Sequence, residues 1–179
     1  MRIIGGQFRR REIKAPKGDV TRPTTDRTRE AAFNIISSRF DLAGARVVDL
    51  YSGSGALGLE AISRGADVAM FVDNSQRALK VSIANARGLG VERSCHFIRD
   101  DSVRWLKGQK FQSYDLILAD PPYDSSDLTA LADLALSALS VGGLFVLEHD
   151  RRFSPDEHPR LLLSRRYGKS AITVFESRD

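Results

Sequence analysis

From Arg46 onward the chain alternates short apolar runs with longer mixed ones. The apolar runs predict strands at 46–51, 67–73, 94–99, 114–120 and 143–149, separated by helical stretches at 55–64, 75–88, 101–107 and 127–139. Such alternation implies an α/β fold, a parallel sheet covered on both faces that takes ligands beyond the carboxyl ends of its strands. Asp49, Asp73, Asp101 and Asp120 all lie at or just past such ends. Upstream, 26–39 reads as a helix whose Ala32, Phe33, Ile35 and Ile36 form an apolar face, and 2–14 as short strands around a Gly5-Gly6 turn. The tail, with the segments 161–167 and 171–175, reads as a hairpin turning at Gly168-Lys169.

Candidate chemistry enters at Asp120-Pro121-Pro122-Tyr123, where the strand Tyr114-Asp115-Leu116-Ile117-Leu118-Ala119 runs out. Two prolines fix their own φ and remove two N–H donors, so the loop is stiff and presents carbonyls as acceptors. An exocyclic amine on a nucleobase needs acceptors for its two hydrogens, and the base needs a flat surface to lie against. Asp120, the Pro121 carbonyl and Tyr123 supply both. Alone, the same tetrapeptide is equally an ordinary turn; its neighbours decide between the two.

The neighbour that matters is Val47-Val48-Asp49-Leu50-Tyr51-Ser52-Gly53-Ser54-Gly55-Ala56-Leu57-Gly58, a strand, a glycine-rich turn and the start of a helix. Gly53 and Gly55 allow close approach of a ligand to the backbone, and a side chain at Gly55 is expected to fill ligand space. The run satisfies G-x-G-x-x-G, and Asp73 follows Gly53 by 20 residues, where an acid that binds a ribose is expected, so a nicotinamide dinucleotide is a live alternative. Two features favour S-adenosylmethionine. Asp49 places a carboxylate just ahead of the glycines, suiting a cationic amino acid and repelling a pyrophosphate, and Asp-Pro-Pro-Tyr has no evident task in hydride transfer.

These residues resemble the Rossmann-like methyltransferases that act on exocyclic amino groups. Arg2-Ile3-Ile4-Gly5-Gly6-Gln7-Phe8-Arg9, Arg22-Pro23-Thr24-Thr25-Asp26-Arg27-Thr28-Arg29-Glu30 and Phe33-Asn34 narrow the resemblance to the bacterial 16S rRNA guanine-N2 methyltransferases of the RsmD family. It spans nearly the whole chain, with residues after Asp150 similar in general character only. It implies a class I methyltransferase fold, with a mostly parallel seven-stranded sheet, a C-terminal antiparallel hairpin and a short basic N-terminal β extension. It implies S-adenosylmethionine as cofactor, leaving as S-adenosylhomocysteine, with contacts from Asp49, Ser52, Gly53, Gly55, Asp73, Asn74, Asp101 and Ser102. Asp73 would take both ribose hydroxyls, leaving Ser75 to cap the next helix, and Asp101 or its neighbour Asp100 would read the adenine amine. The catalytic set would be Asp120, Pro121 and Tyr123, and the partner 16S rRNA or the small ribosomal subunit. Adenine-N6 methylation and a non-catalytic RNA-binding module are the competing readings. Glu148 and His149, at the end of the fifth strand, receive no role.

At 179 residues and 42% apolar, the chain can bury a proper core. No apolar run approaches the length of a membrane span, and a cytoplasmic monomer is expected. Cys95 is alone, and His96, His149 and His158 show no ligand spacing with it, so no metal is expected. Nine of the 27 Lys and Arg fall in residues 1 to 29, against three acids, giving that segment +6 and the rest −2. Residues 1–25 are therefore expected to be an RNA-binding arm on a catalytic domain at 26–179, with Arg9, Arg10, Arg11, Arg22, Arg27 and Arg29 on phosphates. If the arm is a strand, Arg9 and Arg11 point one way and Arg10 the other.

Overall fold

The computed structural model describes residues 1–15, 26–122, 127–155 and 157–178. Its centre is a seven-stranded sheet made of β1 (Arg46–Leu50), β2 (Val68–Asp73), β3 (Cys95–Arg99), β4 (Tyr114–Ala119), β5 (Leu139–Asp150), β6 (Leu161–Tyr167) and β7 (Ser170–Glu176). The strand order is β3-β2-β1-β4-β5-β7-β6. Strands β1 to β5 pair in parallel, whereas β7 runs antiparallel to both β5 and β6. This is the Rossmann-like methyltransferase sheet with its C-terminal antiparallel hairpin.

Successive strand residues point to opposite faces, and two apolar layers result. On one face Val47, Phe71, Leu116, Leu118 and Val146 meet α1 (Asp26–Ser37), α2 (Ala56–Ser63) and α3 (Gln76–Leu89) through Phe33, Leu59, Ile62, Ala86 and Leu89. On the other face Val48, Leu50, Val72, Ile117 and Leu147 meet α4 (Ser102–Lys107) and α5 (Leu128–Ala138) through Leu106, Leu131, Ala132 and Ala135. Strands covered on both sides have no reason to alternate polar and apolar residues, which explains the continuous apolar runs. Three of the helices begin on ordinary caps: Ser75 Oγ accepts from Ala78 N–H, Asp101 from Arg104 N–H and Asp127 from Ala130 N–H.

Two local expectations give way. Strand β5 begins at Leu139, four residues ahead of the expected start, because the chain bends at Gly142 (φ +78°) and the pairing with β4 shifts register between Tyr114 and Leu116. Residues 2–14 do not form a pair of strands. Only an isolated bridge joins Arg2 to Glu12, residues 7–10 are turns, and Arg10 has φ 71°. The alternation of Arg9 and Arg11 against Arg10 therefore falls away, because residues in a turn do not follow the strand period.

What replaces the strands is a set of long-range anchors. Ile3 and Ile13 are buried in the same cluster as α1 and α2. Glu60 accepts from the N–H groups of Ile4 (2.7 Å) and Gly5 (2.8 Å), and Ser63 Oγ accepts from Phe8 N–H and donates to the Gly5 carbonyl. A Cβ on Gly6 would stand 1.8 Å from the Ser63 carbonyl oxygen, so only glycine lets the chain pass there. Farther on, Lys14 is held at both its N–H and its carbonyl by Asn85.

Candidate active site

The carboxyl ends of β1, β2, β3 and β4 lie side by side, since Leu50 is level with Val72 and with Ala119, and Asp73 with Arg99. This register brings Asp49, Asp73, Asp101 and Asp120 to one edge of the sheet. Asp120 and Asp73 are close enough to Asp49 for their charges to add to the effect of burial in raising its pKa, and burial followed by Asp101 does the same to the Tyr51 hydroxyl.

The turn between β1 and α2 is built largely from backbone held by side chains. Asp49, 1% exposed, accepts from Gly58 N–H at 2.8 Å inside the first turn of α2. Burial, more than the neighbouring carboxylates, pushes its pKa well above the usual carboxylate value. Asp73 accepts from Gly53 N–H (2.9 Å) through one oxygen and from Ser75 N–H (2.8 Å) through the other. Ser82 Oγ donates to the Gly53 carbonyl and Asn85 to the Ser54 carbonyl, both from α3. Tyr51 stands at φ 55° and donates its N–H to Ser102 Oγ. A left-handed tyrosine is uncommon and concentrates at sites where the backbone is constrained for function.

The glycines divide their work differently from expectation. A Cβ on Gly55 would meet the side chains of Phe71 and Ser82 at 3.2 Å, and one on Gly58 would come within 2.4 Å of the Phe71 ring. Both glycines therefore face protein, and they let α2 and α3 close onto the sheet. Gly53, with φ +52°, is the glycine that faces open space, its nearest neighbour being the Tyr51 carbonyl at 3.8 Å. Next to it Ser52 Oγ is buried with no hydrogen-bond partner. A buried hydroxyl without a partner is costly unless a ligand completes it. The open glycine and the orphaned hydroxyl both fit the polar amino-acid end of S-adenosylmethionine.

The Asp100-Asp101 doublet separates cleanly. Asp100 is held by the Arg104 guanidinium, which together with Asp101 N–H keeps its carboxyl below the usual range. Asp101 spends one oxygen on capping α4. Ser102 is buried against Tyr51, and Asn74 is exposed, with its carbonyl accepting from Arg99. Asp120 and Pro121 follow β4 directly, while Tyr123 lies outside the described residues. Among those residues no group of three or more His, Cys, Asp and Glu is placed to hold a metal, and no helix is long and apolar enough to cross a membrane.

The basic residues disperse. Arg9, Arg10, Arg11 and Arg27 are exposed, and Arg22 lies outside the described residues. Arg11 donates to the Gly88 carbonyl near the end of α3, away from the acid cluster. Arg29 must be withdrawn from the phosphate-binding set, because it is fully buried and cannot reach a phosphate at the surface. It donates to the Arg2 carbonyl and Asp26, with Glu60 3.9 Å away. Burial pushes its pKa down, and Glu60 and Asp26 push it back up.

Sequence reasoning missed Glu60, Ser82 and Asn85. The signal was available for Glu60, a lone acid in the otherwise apolar helix Ala56–Ser63. His149 is accounted for by structure alone: Nδ1 donates to the Asp150 carbonyl, so Nε2 accepts from Thr173 Oγ1 at 2.7 Å, and burial lowers its pKa. Burial also pushes the Cys95 thiol up to about 12.

Comparison with known proteins bears on the fold as a whole. The "Putative rRNA methyltransferase YlbH" of Bacillus subtilis is 36% identical over 185 aligned positions, covering 99% of this chain and all of the relative. The Escherichia coli "Ribosomal RNA small subunit methyltransferase D" is 35% identical over 123 residues, 69% of this chain and 60% of that protein. Among solved structures, the "Putative methyltransferase yhhF from Escherichia coli" superposes with a TM-score of 0.84 at 28% identity, covering 99% of this chain and 98% of the other. The fold is that of an S-adenosylmethionine-binding methyltransferase, and the chain belongs to the family described as Conserved hypothetical protein 95, whose model matches residues 1–176.

Proposed function

We propose that this protein transfers a methyl group from S-adenosylmethionine to the exocyclic N2 amine of a guanine in 16S rRNA of the small ribosomal subunit. The observation that carries the reading is the adjacency of β1 and β4. It sets Asp120-Pro121 beside the turn that bears Gly53 and the unpartnered Ser52 hydroxyl. The RNA substrate is supported by the names of the relatives that match most of the chain.

The bound cofactor supplies an electrophilic methyl on a sulfonium. Ser52 and the Gly53 backbone would hold its amino-acid end, and Asp49, buried behind the turn, would serve as a counter-charge to its ammonium. Asp73 would turn an oxygen to the ribose hydroxyls. Asp101, rather than the Arg104-bound Asp100, would read the adenine amine. The guanine amine is a poor nucleophile because its lone pair is delocalised into the ring. Acceptors at Asp120 and the Pro121 carbonyl would draw its two N–H bonds out of the ring plane and aim a localised lone pair at the methyl group. Positive charge then grows on nitrogen beside the Asp120 carboxylate, which stabilises the transition state more than the ground state. Holding the reacting atoms in line supplies much of the rest. Tyr123 would stack on the base, which must leave any helical stack to enter.

The test is incubation with labelled S-adenosylmethionine and small ribosomal subunits from cells lacking the protein, followed by mapping of the modified nucleotide. Label on guanine N2 of 16S rRNA is expected. Label on an adenine N6 would move the reading to the adenine methyltransferases, and cofactor binding without any transfer would reduce the protein to an RNA-binding module.

A further inference from the structure

The basic arm and the cofactor turn meet at one side chain. Asn85 is 5% exposed and makes three hydrogen bonds: its oxygen accepts from Lys14 N–H at 2.8 Å, and its nitrogen donates to the Lys14 carbonyl at 2.9 Å and to the Ser54 carbonyl at 2.9 Å. Only an amide offers an acceptor and two donors from a single short side chain. Asparagine is a mediocre helix former, so its place inside α3 has no helical reason. Three residues earlier on the same helix face, Ser82 grips the neighbouring Gly53 carbonyl. The Gly53-Ser54 stretch is thus suspended from α3 by two side chains, and Asn85 is the one that also holds the arm.

The arm side is equally direct. Arg11 lies three residues before Lys14, and between them Ile13 is buried and donates its N–H to the Met1 carbonyl. Arg11 carries the Ile3 N–H on its own carbonyl and reaches the Gly88 carbonyl with its guanidinium. A force on the exposed Arg9, Arg10 or Arg11 passes through a short, packed stretch to Lys14. If Lys14 shifts, the Asn85 amide must either follow it or release Ser54.

We propose that Asn85 is a positioning residue that couples the arm to the cofactor turn, so that RNA held by the arm and cofactor held by the turn strengthen each other. The inference rests on the RNA-methyltransferase reading above. Ordering one end of a shared contact lowers the cost of ordering the other, and the coupling must be reciprocal.

The experiment is calorimetric titration of S-adenosylhomocysteine into the full chain, with and without saturating small ribosomal subunits from cells lacking the protein, and of the subunits with and without the cofactor product. In the parent protein each ligand should tighten the other by the same factor, about fivefold or more. Asn85→Ala should weaken both and bring the factor to within about twofold of one, the scale of a lost coupling. Asn85→Asp keeps the acceptor for Lys14 N–H but can donate to neither the Ser54 nor the Lys14 carbonyl, and it should also abolish the factor, which keeps the test open if the alanine variant folds poorly. A residue with a merely structural role would lower both affinities and leave the factor intact, and that result overturns the proposal. So does a parent factor within about twofold of one while both ligands bind. No binding of S-adenosylhomocysteine by the parent would instead overturn the methyltransferase reading, and no binding of the subunits the ribosomal RNA reading, each taking the coupling with it.

Discussion

Asp49 and Glu60 both serve the short helix α2, Asp49 by accepting from its first turn and Glu60 from within its last; both are buried, and they face different tasks. Glu60 is surrounded by donors: two N–H groups of the arm, the Arg64 guanidinium at 2.8 Å and Arg29 at 3.9 Å. Asp49 holds one backbone N–H, and its other charged neighbours include two further carboxylates that push its pKa up. The acid of the arm's anchor is therefore completed within the chain, although its neighbour Arg29 keeps Nε and Nη1 without hydrogen-bond partners, whereas the turn's acid is left short of positive charge. A buried acid left short of counter-charge in this way marks the end of the molecule that is built for a ligand.

The largest effect expected from breaking this contrast is on the completed side. Glu60→Ala should cost about 3–5 kcal/mol in urea unfolding, because it strands the buried Arg29 and frees the Ile4 and Gly5 N–H groups. A loss below about 1 kcal/mol would show the anchor to be a surface-strength ion pair. At the other end, Asp120→Ala should lower turnover by roughly two to three powers of ten, the scale for one preorganised electrostatic group. Affinity for S-adenosylhomocysteine should hardly change, and Asp120→Asn should be milder because its amide oxygen still accepts.

The two kinds of glycine sharpen the same division. Gly58→Ala should destabilise by about 1–3 kcal/mol, since its methyl would drive into Phe71. Gly53→Ala has open space, so beyond the cost of its left-handed φ its main effect should be cofactor binding weakened roughly tenfold, or about 1.4 kcal/mol. Calorimetry and unfolding on both variants would show whether the losses separate this way or fall together.

The smallest effect has the opposite sign. Asp49 has a folded pKa raised above its unfolded value, so its contribution to stability is fully present below about pH 4 and is lost as pH rises through the folded value. Asp49→Asn keeps an acceptor for Gly58 N–H and never ionises. At neutral pH it should be more stable than the parent by about 1 kcal/mol, an advantage that disappears in acid. It should also bind S-adenosylmethionine more weakly. Stability curves at several pH values check the first part and titration the second.

Legibility in the sequence follows the range of the contacts. Strands and helices from 46 to 139 were readable because buried runs and caps such as Ser75 and Asp101 are local, and the observed bounds differ by one or two residues except at β5. The strand-end acids were readable for the same reason. Residues 1–15 were misread because Glu60, Ser63 and Asn85 hold them across 55 to 71 positions, a separation that no periodicity records. Arg29 looked like one more cation in a basic segment, and only the fold shows it turned inward. The difference between Gly53 and Gly55 was invisible too, since it depends on where Phe71 comes to rest.

The sheet's order imposes a schedule on synthesis. Strand β7 is the last of the seven in chain order, yet it lies inside the sheet between β5 and β6. Until residues 170–176 have emerged from the ribosome, β5 offers a long unpaired edge and β6 has nothing to pair with. The nascent chain can nucleate around β1, β2 and β4 early, but closing this edge is a late, non-local event, and such stages are where partly folded chains stick to one another. Once closed, the exposed edge passes to β6, whose Arg165 and Arg166 face solvent and discourage a second sheet from docking there.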